Sequence, residues 1–174
     1  LDLFTIREAH AEFKDLNVVL VGDLRYGRTA HSLSNALARF GVNLTLVAPE
    51  SLKMPNEIVS DLKSLGGIVT ETDQLYEQIK GSDVIYMTII QKERFPDEDE
   101  YSKVSEIYTL TESDLIGSKE NMIIMHPLPR VNEIHPSVDS TKHAMYFEQA
   151  FNGIPTRMAL LCKSLGIDIS KEVL

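Results

Sequence analysis

Short apolar runs alternate along the chain with segments whose apolar residues recur at helical spacing. The apolar runs lie next to glycine, proline or polar residues, which is typical of buried parallel strands. We expect these strands at residues 18–21, 43–47, 68–70, 84–90 and 121–125. Strands and helices that alternate in this way predict right-handed crossovers. The sequence therefore predicts an α/β domain with three layers, a doubly wound, Rossmann-like fold around a central parallel sheet of about five strands.

Helices are predicted between these strands wherever apolar residues fall on one face. The first follows Gly27, and its apolar face consists of Ala30, Leu33, Leu37 and Phe40. Pro55 begins a second helix, which ends at Gly66. A short third helix is expected around residues 73–79.

The C-terminal part predicts two helices after a loop at residues 132–141. The first covers residues 143–151 and is interrupted at residues 152–155, which contain glycine and proline. The second carries Met158, Leu161, Cys162 and Leu165 on one apolar face. We therefore expect Cys162 to be a small buried core residue and not a nucleophile.

Composition narrows the functional classes. The 174 residues suffice for one domain with a full core. The net charge of −9 argues against a general nucleic-acid surface, so an anionic ligand would need a local cluster of Arg and Lys. One cysteine excludes an internal disulfide and fits a reducing compartment. Because no apolar run approaches membrane-spanning length, we expect a soluble cytoplasmic domain without a membrane or nucleic-acid partner.

The first residues of the chain are apolar and lack an initial Met. Leu3, Ile6 and Phe13 have the spacing of a short amphipathic helix. A start inside a helical pattern predicts that the chain is a fragment of a longer protein.

The segment His-Pro-Leu-Pro-Arg at residues 126–130, here called the proline elbow, follows the last predicted strand. Each proline fixes its own φ and forces the preceding residue out of the α region. Neither proline has an N–H group, so local carbonyls outnumber local donors and could face a ligand. A rigid turn without chemistry is the alternative explanation. His126 is interpreted as a structural residue, and the five histidines show no metal-ligand spacing, so no metal site is predicted.

Residues 22–29 follow the first strand and contain two glycines before a helix. Glycine allows a tight turn, and the helix N-terminus presents unpaired N–H groups to an anion. Arg28 could bind a carboxylate there with two hydrogen bonds, although a solvated arginine explains the pattern equally well. The glycines are too far apart for the dinucleotide-binding pattern G-x-G-x-x-G.

Residues 88–94 follow the fourth strand. Gln91 could hydrogen-bond a polar substrate, whereas Lys92, Glu93 and Arg94 could be solvated surface charges. Residues 95–106 contain an acidic run and predict either a lid over the site or exposed surface. Because open α/β sheets bind ligands outside the carboxyl ends of their strands, we expect this segment, the first turn and the proline elbow to meet.

Several segments resemble the catalytic chains of the aspartate carbamoyltransferase family. They are residues 21–32, 86–88, 91–94, 126–130, 152–154 and 157–161. Their order and their spread over nearly the whole chain make the resemblance specific. The proline elbow resembles the aspartate branch of the carbamoyltransferases, because ornithine enzymes usually carry a Cys after the His.

The resemblance implies the transfer of a carbamoyl group from carbamoyl phosphate to L-aspartate, an early step of pyrimidine biosynthesis. No cofactor is implied, since orientation and charge stabilisation would carry the catalysis. Residues 16–174 would form the aspartate-binding domain, and residues 1–15 would belong to a helix linking it to a carbamoyl-phosphate domain absent from this chain. The isolated chain would be inactive. Full-length chains would form homotrimers, with or without regulatory subunits.

The resemblance also assigns roles to individual residues. Arg28 and Gln91 would bind aspartate, and the carbonyls of Leu128 and Pro129 would accept hydrogen bonds from the carbamoyl group. The peptide bond between Leu128 and Pro129 is expected to be cis. Supporting roles would fall to Arg25, Tyr26, Thr29, Glu93, His126 and Arg130.

Ile89 departs from the family pattern, which places an arginine ligand for an aspartate carboxylate at this position. Isoleucine offers neither charge nor donor, and losing such a pair costs on the order of 2–5 kcal/mol. Three alternatives stay open. Another residue supplies the cation, the acceptor amino acid differs, or the chain is a non-catalytic binding or scaffold homologue.

Overall fold

One five-stranded sheet organises the chain, whose computed structural model describes residues 1–90, 101 and 107–167. The strands are β1 (Asn17–Val21), β2 (Asn43–Val47), β3 (Ile68–Thr72), β4 (Val84–Met87) and β5 (Ile123–Met125). They lie in the order β3-β2-β1-β4-β5, and every neighbouring pair is parallel. The predicted fold class is confirmed.

Helices cover both faces of the sheet. They are α1 (Asp2–His10), α2 (Arg28–Ala38), α3 (Asn56–Ser64), α4 (Leu75–Gln78) and α5 (Tyr146–Ser164). Short 3₁₀ turns lie at Glu50–Leu52, Ile79–Gly81, Glu112–Leu115 and Pro136–Val138. The helix α1 occupies part of the range 1–15 and packs against α2 and α5. None of the described helices has the length and apolar character needed to cross a membrane.

The core has two halves because alternate residues of a strand point to opposite faces. Val18 and Leu20 of β1 belong to one buried cluster, with residues of α1, α2 and α3. Val19 and Val21 belong to the other, with residues of α4 and the segments that flank β5. All four side chains are at most 2% exposed, so β1 is buried on both faces and forms the centre of the three layers.

The sheet reverses its strand order between β1 and β4. The chain passes from β1 through β2 to β3 on one side and then returns to pair β4 with the other edge of β1. A crevice opens at such a switch point, outside the carboxyl ends of the strands. Here Thr88 closes the junction, donating to the carbonyl of Val21 from its backbone N–H at 2.9 Å and from its hydroxyl at 2.8 Å.

Four strands differ in length from the prediction. The strand β1 begins one residue earlier and β5 two residues later than expected, and the other two follow the extent of pairing with their neighbours. The fourth strand was expected to reach residue 90, but β4 ends at Met87, opposite the last residue of β1. The third strand runs to Thr72 because it pairs with β2 as far as Val47.

The predicted interruption of the C-terminal helix is wrong, since α5 continues through Pro155. Proline removes one helical N–H donor. Side chains on the next turn bond carbonyls close to this gap. The Thr156 hydroxyl donates to the carbonyl of Asn152 at 2.7 Å, and Arg157 donates to that of Gly153 at 2.9 Å. These hydrogen bonds satisfy backbone carbonyls near the proline. The helical spacing of apolar residues alone does not predict them.

The expected burial of Cys162 is also wrong. Cys162 is only partly buried, and the apolar stripe on its helix is exposed. This stripe, the α5 stripe, consists of Phe147, Phe151, Ile154, Met158, Leu161 and Leu165, each at least 53% exposed. The pattern predicted an apolar face correctly, but the described part of the chain does not cover it.

The junction between β1 and β4 should not tolerate a side chain at Gly22. This residue has φ +112°, and a Cβ there would lie 2.5 Å from the Thr88 carbonyl oxygen and 2.6 Å from its hydroxyl. We expect Gly22→Ala to lower the free energy of unfolding by about 3 kcal/mol or more, since a left-handed backbone and overpacking both contribute.

Gly66→Ala is the matched control for this prediction. Gly66 also has a positive φ, +89°, but a Cβ there would meet nothing within 4 Å. Chemical denaturation of both variants should show a cost of about 1–2 kcal/mol for Gly66→Ala, from the backbone alone. Equal losses in the two variants would mean that the contact with Thr88 is unimportant.

Candidate functional site

The three predicted strand ends meet in one cleft of about 250 Å³ at the switch point of the sheet. Its lining residues are Gly27, Arg28, Thr29, Thr88, Ile89, Pro127, Leu128 and Pro129. They come from the segments that follow β1, β4 and β5. The structure therefore brings Arg28, Leu128 and Pro129 together, as the sequence predicted, and Ile89 lines the same cleft, as the family pattern implies for its position.

Arg28 forms the cationic wall of the cleft. It is the first residue of α2, and its helix has no side-chain cap and no acidic residue in its first turn. Arg28 is exposed and has no hydrogen bond or ion pair to any residue that the structure describes. An unpaired guanidinium beside free helix N–H groups favours an anion, above all a carboxylate.

The turn that carries Arg28 is held by polar contacts of buried and half-buried side chains. The Asp23 carboxylate accepts a hydrogen bond from the Tyr26 backbone N–H at 2.9 Å. His31 Nε2 lies 2.8 Å from the carbonyl oxygen of Leu24, to which it can donate. Gly27 allows the tight approach, because a Cβ there would lie 2.3 Å from the Asp23 carbonyl. The turn thus sets where α2 begins.

Arg25 and Tyr26 lie beside the cleft and do not line it. The Arg25 guanidinium donates to the carbonyl of Ser51 at 3.3 Å and lies 5.2 Å from the centre of the Tyr26 ring. Both side chains are exposed. This position suits a supporting role, as the resemblance implies.

The proline elbow forms the opposite wall, and its cleft-lining residues 127–129 present backbone acceptors. Its prolines have no N–H, and the N–H groups of His126 and Leu128 are bonded inside the chain. The His126 N–H donates to Gln149 Oε1 at 2.8 Å, and the Leu128 N–H donates to His126 Nδ1 at 2.8 Å. Within the described ranges no hydrogen bond ends on a carbonyl of residues 127–129. The peptide bond between Leu128 and Pro129 is cis, as expected.

A buried pair supports the elbow from behind. His126 Nε2 lies 2.7 Å from Glu133 Oε1, and the residues are 1% and 7% exposed. Because His126 Nδ1 accepts from Leu128, the ring proton is assigned to Nε2, which donates to Glu133. The Glu133 carboxylate also accepts from the N–H groups of Val131 and Asn132. His126 therefore has a structural role in this arrangement.

The same contacts set the charge of Glu133. Burial alone would raise the pKa of this carboxyl, but the hydrogen bond from His126 and those from backbone N–H groups outweigh it. The net effect holds the pKa of Glu133 below its usual value of 4.5. The carboxylate is therefore ionised at neutral pH and available as an acceptor.

Arg130 is held within the chain. Its guanidinium makes a two-pronged contact with the Asp139 carboxylate and donates to the Tyr146 hydroxyl at 3.1 Å. The hydrogen bonds that the Asp139 carboxylate accepts from Arg130 lower the pKa of Asp139. Arg130 ties the elbow to the start of α5, which supports its predicted role as a positioning group.

Ile89 gives the cleft an apolar patch. It is half-buried beside Thr88 and lines the same cleft as Arg28. Among the described lining residues, Arg28 is the one cation. The predicted site residues Gln91 and Glu93, and the predicted lid at residues 95–106 apart from Tyr101, lie outside the described residues.

Sequence reasoning missed the side chains that hold the elbow, namely Gln149, Glu133 and Asp139. Glu133 follows the elbow by only a few residues, but an acidic residue in a polar loop is usually solvated. Gln149 lies in a helix far along the chain, and no local pattern marks it. In the parts of the chain that the structure describes, no group of three His, Cys, Asp or Glu side chains could hold a metal ion.

The fold and the cleft define the class of protein: an α/β ligand-binding domain that offers a cation and backbone acceptors to a small polar molecule. Residues 14–163 match the family model described as "Aspartate/ornithine carbamoyltransferase, Asp/Orn binding domain". The chain therefore belongs to the aspartate/ornithine carbamoyltransferase family and represents its Asp/Orn-binding domain.

Curated relatives agree with this family. The aspartate carbamoyltransferase catalytic subunit of Methanocella arvoryzae is 55% identical over 170 residues, which cover 97% of this chain and 55% of the relative. That of Thermococcus kodakarensis is 53% identical over 167 residues, covering 96% of this chain and 54% of the relative. The chain thus spans about half the length of the curated relatives it matches.

Solved structures give the same result. The catalytic subunit of M. jannaschii aspartate transcarbamoylase superposes with a TM-score of 0.86 at 45% identity, over 93% of this chain and 53% of that one. Aspartate transcarbamoylase from Trypanosoma cruzi in complex with N-(phosphonacetyl)-L-aspartic acid has a TM-score of 0.84 at 37% identity, over 92% and 52%.

The buried Glu133 should make stability depend on pH. Its pKa is depressed in the folded state, so its contribution is present above about 4.5 and is lost as the pH falls through the folded value. Glu133→Gln should lower the free energy of unfolding at pH 7 by about 1–3 kcal/mol, because an amide cannot accept all these hydrogen bonds. It should also flatten the dependence of that free energy on pH below 4.5.

Chemical denaturation between pH 7 and pH 3 tests this expectation, with Glu120→Gln as the control. Glu120 has a 93% exposed side chain that lies 3.3 Å from Lys142 Nζ. The control should follow the wild-type curve. If Glu133→Gln keeps the wild-type slope in acid, the buried carboxylate is not the group that titrates.

Proposed function

We propose that the full-length protein transfers the carbamoyl group of carbamoyl phosphate to L-aspartate, giving N-carbamoyl-L-aspartate and phosphate. One observation carries this proposal: a single cleft joins the unpaired Arg28 to the backbone acceptors of residues 127–129 in the proline elbow. Membership of the aspartate/ornithine carbamoyltransferase family supports it, as do relatives that bear the name aspartate carbamoyltransferase. The reaction belongs to pyrimidine biosynthesis.

The chemistry needs two oriented substrates. The aspartate amine attacks the carbamoyl carbon, a C–N bond forms, and the C–O bond to phosphate breaks. The amine loses a proton, and phosphate leaves with the electron pair of the broken bond. Arg28 binds a carboxylate of aspartate, while the carbonyls of Leu128 and Pro129 accept hydrogen bonds from the carbamoyl NH₂. Both contacts fix the reacting atoms at close range, which is the main source of the rate acceleration.

The remaining predicted residues complete this arrangement. Gln91 positions aspartate, and Glu93 takes a supporting role. Thr29 lines the cleft beside Arg28. Arg25, Tyr26, His126 and Arg130 hold the walls and take no part in bond making.

We also propose that residues 16–174 are the aspartate-binding half of a two-domain protein and that residues 1–15 belong to the linking helix. The other half would bind carbamoyl phosphate. Two observations support this organisation. The chain spans about half the length of its curated relatives, and the α5 stripe leaves six large apolar side chains exposed. An exposed apolar patch of this kind marks a surface that another part of an assembly covers.

The full-length chain is proposed to act in the cytoplasm as a homotrimer, alone or with regulatory subunits. Relatives that are named catalytic subunits support an assembly of more than one chain. Light scattering of the full-length protein would give the number of chains directly.

A second candidate function is carbamoyl transfer to a different amino acid. The observation that favours it is Ile89, which leaves Arg28 as the one cation among the described residues that line the cleft. Aspartate carries two carboxylates, so an acceptor with a less charged side chain would need fewer cations.

The proposed reaction predicts that full-length protein converts labelled carbamoyl phosphate and aspartate into N-carbamoyl-L-aspartate. The 174-residue chain alone should show no turnover, because it lacks the other half of the site. In the full-length protein Arg28→Gln should raise the KM for aspartate at least about thirtyfold, since a charge-assisted contact with substrate contributes about 2–5 kcal/mol.

Arg39→Gln serves as the control for Arg28→Gln. Arg39 caps the other end of α2 and bonds only to Asn35 by its side chain in the described structure, at 3.3 Å. This variant should keep the wild-type KM. Rapid turnover by the isolated chain would refute the two-domain proposal, and an inactive full-length protein would refute the reaction.

Ile89→Arg should restore a second cation to the cleft. We expect the KM of the full-length protein for aspartate to fall at least tenfold, which corresponds to about 1.4 kcal/mol. Rates should be measured with aspartate and with a panel of other amino acids. If aspartate gains nothing from the substitution, Ile89 does not face the bound substrate. If the wild type already prefers another acceptor, the second candidate function replaces the first.

A further inference from the structure

One carboxylate on α1 joins the two elements that lie behind the cleft. Asp2 Oδ2 accepts a hydrogen bond from the Tyr86 hydroxyl at 3.2 Å, and Asp2 Oδ1 accepts one from Gln149 Nε2 at 2.9 Å. Tyr86 belongs to β4 and Gln149 to α5, and these side chains are fully or almost fully buried. We call Asp2, Tyr86 and Gln149 the Asp2 hub.

The hub is bonded to the elbow wall of the cleft and lies beside the other wall. Gln149 uses its other polar atom, Oε1, to accept from the His126 N–H of the proline elbow. Tyr86 also lines a cavity with Thr29, which in turn lines the cleft next to Arg28. The hub residues line a second cavity, of about 360 Å³, that shares Thr29 and Pro127 with the cleft.

The protonation states suit these bonds. Burial, and then the negative charge of Asp2, raise the pKa of the Tyr86 hydroxyl, so it keeps its proton. The Gln149 amide has one orientation that satisfies both neighbours, with its oxygen toward His126 and its nitrogen toward Asp2. Each bond therefore has a defined donor and acceptor.

We propose that Asp2, Tyr86 and Gln149 are positioning residues that couple the placement of α1 to the proline elbow. This inference rests on the proposed function, because it gives the hub a task in the carbamoyl transfer reaction. A shift of α1 moves the Asp2 carboxylate. The Gln149 amide, which bonds both Asp2 and the His126 N–H, then carries the shift to the elbow, while the Tyr86 hydroxyl fixes the other oxygen of Asp2.

A simpler alternative is that the hub only fastens α1 to the domain. Asn152 provides the comparison, because it makes equivalent bonds one turn further along α5. Its Nδ2 donates to Thr5 Oγ1 at 3.1 Å and to Glu8 Oε2 at 3.0 Å. Asn152 is also buried, at 6% exposure, but its side chain makes no hydrogen bond to the elbow within the described residues. It joins α1 to α5 without reaching the cleft.

The test compares Gln149→Met with Asn152→Leu in the full-length protein. Both substitutions remove hydrogen bonds that a side-chain amide of α5 donates to α1, and both replace that amide with an apolar side chain of similar size. Gln149→Met should lower kcat at least about tenfold, since small displacements of catalytic groups have large effects on rate. Asn152→Leu should keep kcat within about twofold of the wild-type value. It should lower the melting temperature by about as much as Gln149→Met does. Tyr86→Phe, which removes one hydroxyl only, should also lower kcat.

Amide hydrogen exchange supplies a second measurement that does not depend on activity. The His126 amide should exchange faster in Gln149→Met than in Asn152→Leu. Equal kcat and equal exchange in the two variants would overturn the hub as a positioning device. If the wild type has no carbamoyltransferase activity, the proposed function fails. Exchange at His126 then decides by itself whether Gln149 holds the elbow, and unchanged exchange would overturn the coupling.

Discussion

A shortage of backbone donors at the proline elbow is the constraint on which the site depends. Two of the five residues are prolines, and the N–H groups of His126 and Leu128 are both taken by side chains. Those side chains must themselves be held, by Glu133 and by Asp2. A short turn with free carbonyls therefore requires a buried network that extends from the loop after β5 to both terminal helices.

The order of the strands decides where this turn can work. Because β1 and β4 are neighbours in the sheet but distant in sequence, segments from three parts of the chain share one edge. Close contact between Gly22 and Thr88 lets the strand ends approach, and the free start of α2 then faces the elbow. A cation and a set of acceptors thus lie on opposite walls of one cleft, which suits a ligand with a carboxylate and an N–H donor.

Local patterns predicted much of this arrangement. Apolar runs indicated all five strands, because an apolar run is a local signal that is independent of tertiary partners, and the run at β3 gave it although this edge strand is largely exposed. The local pattern marked Arg28 and the proline elbow, which follow strands and stand beside glycine or proline, and the family resemblance then singled out Leu128 and Pro129. The helix break at residues 152–155 was predicted wrongly, since side-chain bonds from Thr156 and Arg157 support carbonyls near Pro155. The prediction that Cys162 is buried was wrong for a different reason. An apolar face shows that a helix can pack against a partner, but it does not show which part of the structure covers that face.

The sequence by itself determined the α/β class, the parallel sheet and the segments that form the cleft, because each depends on short-range periodicity or on the stereochemistry of glycine and proline. Only the tertiary structure decided which polar side chains hold those segments. Glu133, Asp139 and Gln149 look like ordinary polar residues in the sequence, and their roles arise from partners as far away as Asp2. Hydrogen bonds between distant residues leave no periodic trace, so burial and geometry alone show that these side chains shape the elbow.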